Sequence, residues 1–578
     1  VSTIGTRAAR RVTRGLLALV ALAAAVPVAA AAPGSGGLAL GTTLPGHTSL
    51  LVEFRDHPSP AVVRARLRGL GRISAVVPEI GIWSLRPRHP VPARALALAR
   101  VEVQDAEWSL ERTTNGQQPR GGVPPAAAVN PEFRDPLFSP ADQWGLFTNY
   151  WSPDLTGSLP RPRIAILDGG IDPTHEEWSG PNSPLVDPRS TYQGTDDATD
   201  WGRTGHGTHV AGIAAAPANN GVGIVGVAPA ERGVAEIIPV QIADRDGRST
   251  DETMMKGIRW AVNHGARVIN ISAGGPGYSQ AFQDTVDWAF ARGALVIASV
   301  GNEGEDENDL NYPAGYDHVL GVGALCDDER DPPDCITPFG VAGFSNHNGT
   351  VDVVAPGVNV LSSVPKRVHD REFAPGYALK DGTSMAAPYV TGTAALVFAA
   401  YPTASPYQVM RQLENTAYTP PGSPAGRSNG AGYGAINPKA AVTLPLPADD
   451  PTEVNDDISK VTSVPSLKES AEPRVIDARA DQWDDPHDVY PVQLRRGERV
   501  RITLRHVKGS FNLALWRPGT PTVTPKRGAS APMAVSLAPG SLQVVTARAP
   551  RTGRYYVDVA AKRGGGLYTL TIARNGSG

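Results

Sequence analysis

The sequence has almost no cysteine: 578 residues carry two, Cys326 and Cys335. That excludes a disulfide-knit scaffold, and two thiols without further soft ligands nearby argue against a metal site there. In an exported chain their close spacing favours one local disulfide; a pair of free thiols is the alternative. Net charge is also scarce, at −3, so nothing points to a nucleic acid or another polyanion as partner. Beyond the N-terminal region no apolar run is long enough for a bilayer, which predicts no membrane span in the mature protein. Glycine and proline are not scarce, at 62 and 53, and imply many turns and linkers among segments that are 41% hydrophobic overall. A chain of this length holds several domains on a prior of roughly 100–200 residues each.

The N-terminus reads as an export signal, residues 1–32. Arg7, Arg10, Arg11 and Arg14 form a basic region, Gly15 to Val28 an apolar one, and Ala29 to Ala32 offer small-residue cleavage sites. The Arg10-Arg11 pair is compatible with a twin-arginine signal or with a generic basic region. Residues 33–115 follow as a small α/β unit. Strand patterns at Leu50–Phe54, Ile73–Pro78, Gly81–Leu85 and Gln104–Leu110, with helical patterns at Pro60–Leu70 and Ala93–Arg100, give the order βαββαβ. Such a unit is either a binding domain or a pro-segment. The Gly-Gly, Pro-Pro and alanine-rich stretch after Thr113 suits proteolytic separation.

Residues 116–444 alternate short apolar runs with helical patterns, which predicts an α/β fold with a mostly parallel sheet covered on both faces. Strands are expected at Arg163–Leu167, Ile237–Ala243, Arg267–Ser272, Ala294–Ser299 and Val319–Gly323, and helices at Gly207–Ala216, Asp251–His264 and Ser279–Arg292. Three residues stand at element ends, where side chains project. Asp168 closes the first strand, His206 opens a helix in Gly205-His-Gly-Thr-His-Val-Ala-Gly212, and Ser384 follows Gly382 at the start of an alanine-rich helix. A strand-end aspartate, a helix-opening histidine and a capping serine are each ordinary alone. Together, in the order Asp, His, Ser, they supply an orienter, a base and a nucleophile for acyl transfer.

Asp168-Gly-Gly-Ile-Asp172, His206-Gly-Thr-His-Val-Ala-Gly212 and Gly382-Thr-Ser-Met-Ala-Ala-Pro388 resemble the three signature motifs of the subtilisin-like serine proteases. Ser272-Ala-Gly-Gly275 and Gly301-Asn-Glu-Gly304 extend the resemblance over most of the central section. It implies a secreted endopeptidase acting on protein or peptide substrates, with Asp168, His206 and Ser384 as triad and the Asn302 amide plus the Ser384 N–H as oxyanion hole. It implies a substrate strand beside Ser272, Ala273 and Gly274, and a pocket walled by Ala273, Gly274 and Ala298–Gly301 with Asn311 near its floor, where a glycine is common. The acidic residues Glu303–Asp309 read as a solvated loop, with attraction of basic substrates as the alternative. Gly169 departs from the family, which has a hydroxyl residue after the aspartate; backbone N–H groups are expected to support Asp168 instead.

The resemblance also implies a structural calcium, held by Asp135, Glu177, Ala218, Asn220, Val222 and Ile224, with no cofactor needed for the chemistry; an ordinary Asn-Gly turn at Asn220-Gly221 is the alternative. It makes the βαββαβ unit an inhibitor-type propeptide that assists folding, in an autoprocessed monomer. Proline- and acid-rich residues 445–472 read as a linker. Residues 473–578 show strand patterns at Val489–Leu494, Arg499–Arg505, Asn512–Trp516, Ser541–Ala547, Arg554–Val559 and Tyr568–Ile572. They predict an all-β sandwich and resemble the bacterial pre-peptidase C-terminal domain. A catalytically silent binding protein on the same fold is the other reading.

Overall fold

The computed structural model describes residues 43–44, 49–54, 57–87, 91–92, 107–108, 111–114 and 133–575. The last span is interrupted at 157–160, 232, 234, 305, 328–334, 336, 369–374, 451, 462–473, 483–484 and 524–530. The expected export signal and the helix at Ala93–Arg100 lie outside the described residues.

The central runs lack polar alternation because both their faces are covered. In the strand Arg163–Asp168, Ile164 and Ile166 enter one apolar layer with Val210, Ile213 and Leu396. Ala165 and Leu167 enter the opposite layer with Met254 and Ile258. The seven-stranded sheet has the order Val353–Pro356, Val319–Leu325, Leu295–Ser299, Ala266–Ile271, Arg163–Asp168, Ile237–Gln241, Arg189–Ser190, and every pair is parallel. Its five inner strands are the expected ones. The two edge strands, of four and two residues, were not anticipated, being too short to carry a pattern.

Helices His206–Ala215 and Thr383–Ala400 pack on one face, Asp251–Asn263 and Gln280–Phe290 on the other. Thr250 and Ser279 cap the latter two through bonds to the N–H groups of Thr253 and Phe282. Helix Thr383–Ala400 is apolar all round because the core surrounds it.

The N-terminal unit forms an antiparallel sheet in the order Gly71–Val77, Ile82–Pro87, Leu50–Glu53, Glu107–Trp108, with helix Pro60–Arg66. Val76, Val77 and Ile82 share an apolar cluster with Met254 and Ile258, so this sheet lies against helix Asp251–Asn263.

The C-terminal section is an antiparallel β-sandwich. One sheet has the order Arg474–Asp481, Gly565–Asn575, Arg499–His506, Leu542–Arg548; the other has His487–Leu494, Gly553–Arg563, Ser510–Trp516, Ala534–Ser536. The outermost strands Arg474–Asp481 and Ala534–Ser536 add to the six expected. Within the expected linker 445–472, Asp450, Val454, Asn455, Ile458 and Val461 are buried, so this part of it is packed, and residues 462–472 lie outside the described residues. Cys326 and Cys335 are bonded, with Cα atoms 5.7 Å apart. No helix among the described residues is long and apolar enough to cross a membrane.

Candidate active site

Asp168 is the last residue of a central strand and is fully buried. Its carboxylate faces His206 Nδ1 at 2.9 and 3.0 Å and also accepts the Gly169 N–H at 2.7 Å. The backbone thus supplies support where the family carries a hydroxyl. A Cβ on Gly169 would have only Asp200 Oδ1 within 4 Å, at 3.8 Å, so lack of space does not explain the glycine. Gly207 is different. A Cβ there would come 2.2 Å from the Gly170 carbonyl and 3.1 Å from the Asp168 side chain, so the helix reaches Asp168 only with glycine after His206.

His206 Nε2 is buried and without a hydrogen-bond partner. The Ser384 hydroxyl, also buried, donates to the Ser272 carbonyl at 3.1 Å. In this arrangement the Ser384 hydroxyl is turned toward the Ser272 strand end, and the His206 ring nitrogen Nε2 does not hold it. Ser384 is not a helix cap: Gly382 (φ 140°) occupies that position, and Ser384 is the second helical residue. Pro388 lacks the N–H that would bond the Ser384 carbonyl four residues back, and the Ser272 hydroxyl donates to that carbonyl instead, at 2.9 Å. Asn270 Nδ2 donates to Ser272 Oγ at 3.0 Å and Thr391 Oγ1 to Asn270 Oδ1 at 2.9 Å, so the serine is braced from the neighbouring strand.

Asn302 supplies the cap that Gly382 lacks. Its Oδ1 accepts both the N–H and the hydroxyl of Thr383, each at 2.9 Å. With the oxygen committed there, the NH2 end of the amide is the end that faces away from Thr383, as an oxyanion donor requires. Ser272, Ala273, Ala298 and Gly301 lie at the ends of neighbouring parallel strands, and Ala273–Gly274 forms a strand of its own. Asn311 is buried, and its Nδ2 donates to the Ser299 carbonyl at 3.0 Å. A Cβ on Gly274 would come 2.5 Å from that nitrogen, so Asn311 fills space between the two expected pocket walls. Glu303, Asp306, Glu307 and Asp309 are exposed, in keeping with a solvated loop.

Two features had no clear signal in the sequence. Asp200, six residues before His206, is fully buried; it accepts the N–H and hydroxyl of Thr208 at 3.1 and 2.7 Å and the Gly202 N–H at 2.9 Å. Burial lifts its carboxyl to about 6 despite these donors. The second is Glu111–Thr114. It is an antiparallel strand between Arg248–Thr250 and Ala273–Gly274, with Thr113 opposite Gly274 and Thr114 opposite Ala273. A segment of the chain itself thus lies where a peptide substrate is expected.

Of the residues expected to hold calcium, Asp135, Glu177 and Asn220 come together, and their side-chain oxygens accept hydrogen bonds. Asp135 accepts the N–H groups of Asn219, Asn220 and Gly221 at 2.7, 3.1 and 3.3 Å. Glu177 accepts the Ile224 N–H, Asn220 Nδ2 and the Tyr377 hydroxyl, and Asn220 Oδ1 accepts the Val222 N–H. Burial raises Glu177 to about 7. N–H and O–H donors thus sit on the side-chain oxygens that a hard cation would use in this loop.

Another cluster fits a hard cation. Asp450, Glu453 and Asp456 from the packed 450–461 span meet Asp485 and Asp488 of the sandwich, in two overlapping groups whose ligand oxygens lie within 4.8 Å of one another. Both oxygens of Asp485, and Asp450 Oδ2, Glu453 Oε2, Asp456 Oδ1 and Asp488 Oδ1, are buried without a donor. Burial, then the neighbouring carboxylates, push Asp485 and Asp488 well above the usual carboxylate range. Such a set of hard oxygens suits a divalent cation.

The sequence profile described as "Subtilase family" matches residues 161–434. The chain is 38% identical to fervidolysin of Fervidobacterium pennivorans over 310 residues, 50% of this chain and 42% of that protein. It is 36% identical to subtilisin DY of Bacillus licheniformis over 281 residues, covering 48% of this chain and 90% of that one. It is 37% identical to subtilisin BL of Lederbergia lenta over 289 residues, covering 50% and 92%. The crystal structure of fervidolysin, described as a keratinolytic enzyme related to subtilisin, superposes with a TM-score of 0.58. That superposition covers 92% of this chain and 94% of that one at 22% identity, which is a likeness of fold.

Proposed function

Because the chain belongs to the subtilase family, we propose that it is a secreted serine endopeptidase made as a self-inhibited precursor. The observation that carries this reading is the buried Asp168–His206 pair at 2.9 and 3.0 Å, its histidine on a helix that packs against the helix bearing Ser384. His206 Nε2 takes the Ser384 hydroxyl proton as Oγ attacks the peptide carbonyl, once a side-chain rotation releases Oγ from Ser272. Asp168 holds Nδ1–H and stabilises the imidazolium without taking its proton. The oxyanion is met by Asn302 Nδ2 and the Ser384 N–H. The C–N bond breaks as His206 returns the proton to the leaving amine. Water, deprotonated by the same imidazole, then cleaves the acyl ester and restores the serine.

Residues 33–115 act as the propeptide, since their sheet covers helix Asp251–Asn263 and the Glu111–Thr114 strand fills the substrate cleft. Export is inferred from the basic and apolar regions within residues 7–32. Calcium is assigned to Asp450, Glu453, Asp456, Asp485 and Asp488, where it offsets buried negative charge and ties Asp450, Glu453 and Asp456 to the sandwich; it takes no part in the acyl chemistry.

The test is Ser384→Ala in the full chain. We expect intact precursor to accumulate, and serine-directed phosphonate labelling and protein cleavage to be lost. Continued self-processing by the variant would refute the assignment of the nucleophile.

A further inference from the structure

Arg112 is the one long cationic side chain in the strand that occupies the cleft, and it is buried: its side chain is 0% exposed, as is that of Asp251. Arg112 Nε donates to Asp251 Oδ1 at 2.7 Å. Nη1 donates to the carbonyls of Gly275 and Pro276, and Nη2 to that of Gly277 at 2.9 Å. Four of the five guanidinium N–H groups are thereby met by one carboxylate and three backbone oxygens, a set that matches the planar fork of arginine. The pocket is made by the receiving domain. Asp251 opens a helix capped by Thr250, where the helix dipole favours a negative charge, and the carbonyls come from the turn after the strand Ala273–Gly274.

The strand register says where this pocket stands relative to the cut. Thr113 is opposite Gly274 and Thr114 opposite Ala273. One step further along an antiparallel pair, the next residue of a bound peptide is set opposite Ser272, whose carbonyl holds the Ser384 hydroxyl. The attacked carbonyl therefore belongs to the residue three positions after the arginine. In this chain that counts to the bond between residues 115 and 116.

We propose that Asp251 and the carbonyls of Gly275, Pro276 and Gly277 form a substrate subsite selective for arginine at the fourth residue before the cleaved bond. Arg112 is the chain's own occupant of it. The enzyme's substrate class is then peptides and proteins carrying Arg-x-x-x before the cut, with x unrestricted by this pocket. Lysine, a point charge without the fork, meets fewer of these acceptors. The inference rests on the proteolytic reading above for its turnover assay, and on the pocket alone for its second measurement.

The self-processed enzyme, its sites counted with a fluorescent phosphonate, is assayed on Glu-Arg-Thr-Thr-Asn joined to a fluorogenic leaving group. Counterparts carry Lys, Leu or Ala in place of the arginine. We expect kcat/KM for Arg to exceed that for Ala by about 30-fold or more, from the cost of truncating one partner of a buried charge pair. Lys should fall between, and Asp251→Asn should collapse the Arg-to-Ala ratio to within about threefold. A ratio near one in the unaltered enzyme, or an Arg preference that survives Asp251→Asn, overturns the proposal. If neither phosphonate labelling nor turnover of any peptide is seen, the proteolytic reading fails, and the pocket is judged in the Ser384→Ala precursor by hydrogen exchange. There Arg112→Ala and Asp251→Asn should each speed exchange across 111–114 by about tenfold; exchange unchanged in both removes the pocket as an anchor.

Discussion

At the scale of single residues, the site depends on close approaches that one atom would disturb. Gly207 lets the His206 helix touch Asp168, Pro388 leaves a carbonyl for Ser272, and Asn302 caps a helix that has only glycine at its cap. Asp200 belongs with these, since it ties Thr208 in the turn after His206. Its folded-state value of about 6 lies above the ordinary 3.8, with burial as the first cause. The folded state therefore holds the proton more tightly than the unfolded chain does. This group's contribution to stability is greatest below about pH 4, declines as pH rises to about 6, and is flat beyond. Across that window, the stability of the Ser384→Ala chain should fall relative to a chain also carrying Asp200→Asn, by about 3 kcal/mol at roughly 1.4 kcal/mol per pKa unit. Urea unfolding of both proteins at pH 4, 5, 6 and 7 measures this. A difference that does not change with pH would mean that Asp200 stays ionised throughout, its three donors outweighing burial.

At the scale of elements, helix Asp251–Asn263 serves two partners. Its N-terminus builds the arginine pocket, and its flank receives the N-terminal unit. Glu252, 6% exposed, accepts the hydroxyls of Ser84 and Ser74 at 3.0 and 3.3 Å and pairs with Lys256 at 2.7 Å. The Glu79–Arg259 pair on the same flank is 29% and 35% exposed, so water and salt weaken it. Glu252→Ala should shorten the lag between self-cleavage and full activity about tenfold, because it strips the buried Ser84 hydroxyl and the half-buried Ser74 hydroxyl of their acceptor. Glu79→Ala should change that lag by less than about threefold. Activity followed over time in both variants ranks the contacts, and equal lags would show that the apolar cluster alone holds the unit.

The same helix marks where the sequence stops being readable. Its apolar face and its Thr250 cap are local patterns, as are the strand end at Asp168 and the helix starts at His206 and Thr383, so the fold and the standing of Asp168, His206 and Ser384 at element ends were legible. Arg112 and Asp251 stand 139 residues apart, and nothing near either announces the other. The edge strand Arg189–Ser190 is recruited by a neighbour and has no pattern of its own. Proline and acid content reads residues 445–472 as linker, a sound rule for solvated carboxylates. The rule fails here because Asp485 and Asp488, some 30 residues on, bring the same charges into a buried cluster.

At the scale of the whole molecule, that cluster decides how the sandwich is held. Arg411, in helix Pro406–Thr416 and 1% exposed, reaches Asp481 on the first sandwich strand at 2.8 Å and Glu414 on its own helix at 2.8 Å. His318 lies between Asp287 and Glu453 at 2.9 Å each, and Lys460 pairs with Asp284 and Asp287. These cations are committed, and Asp485 gains no donor from any of them. Several buried carboxylates sharing so little compensation must either hold protons or hold a metal ion. The two cases differ in a melting experiment on the full Ser384→Ala chain. If calcium fills the cluster, calcium at about 100 times its Kd adds about 2.7 kcal/mol of stability to the span that binds it. A chelator then lowers Tm by about 5–10 °C, on the scale of 2–4 °C per kcal/mol for domains of this size. Asp485→Asn should abolish that response while melting no lower than the chelated parent, because one repelling charge has gone. Should chelation leave the parent's Tm unchanged at pH 7, the carboxylates are held by protons. Asp485→Asn, which mimics the protonated acid, should then be as stable as the parent at every calcium concentration.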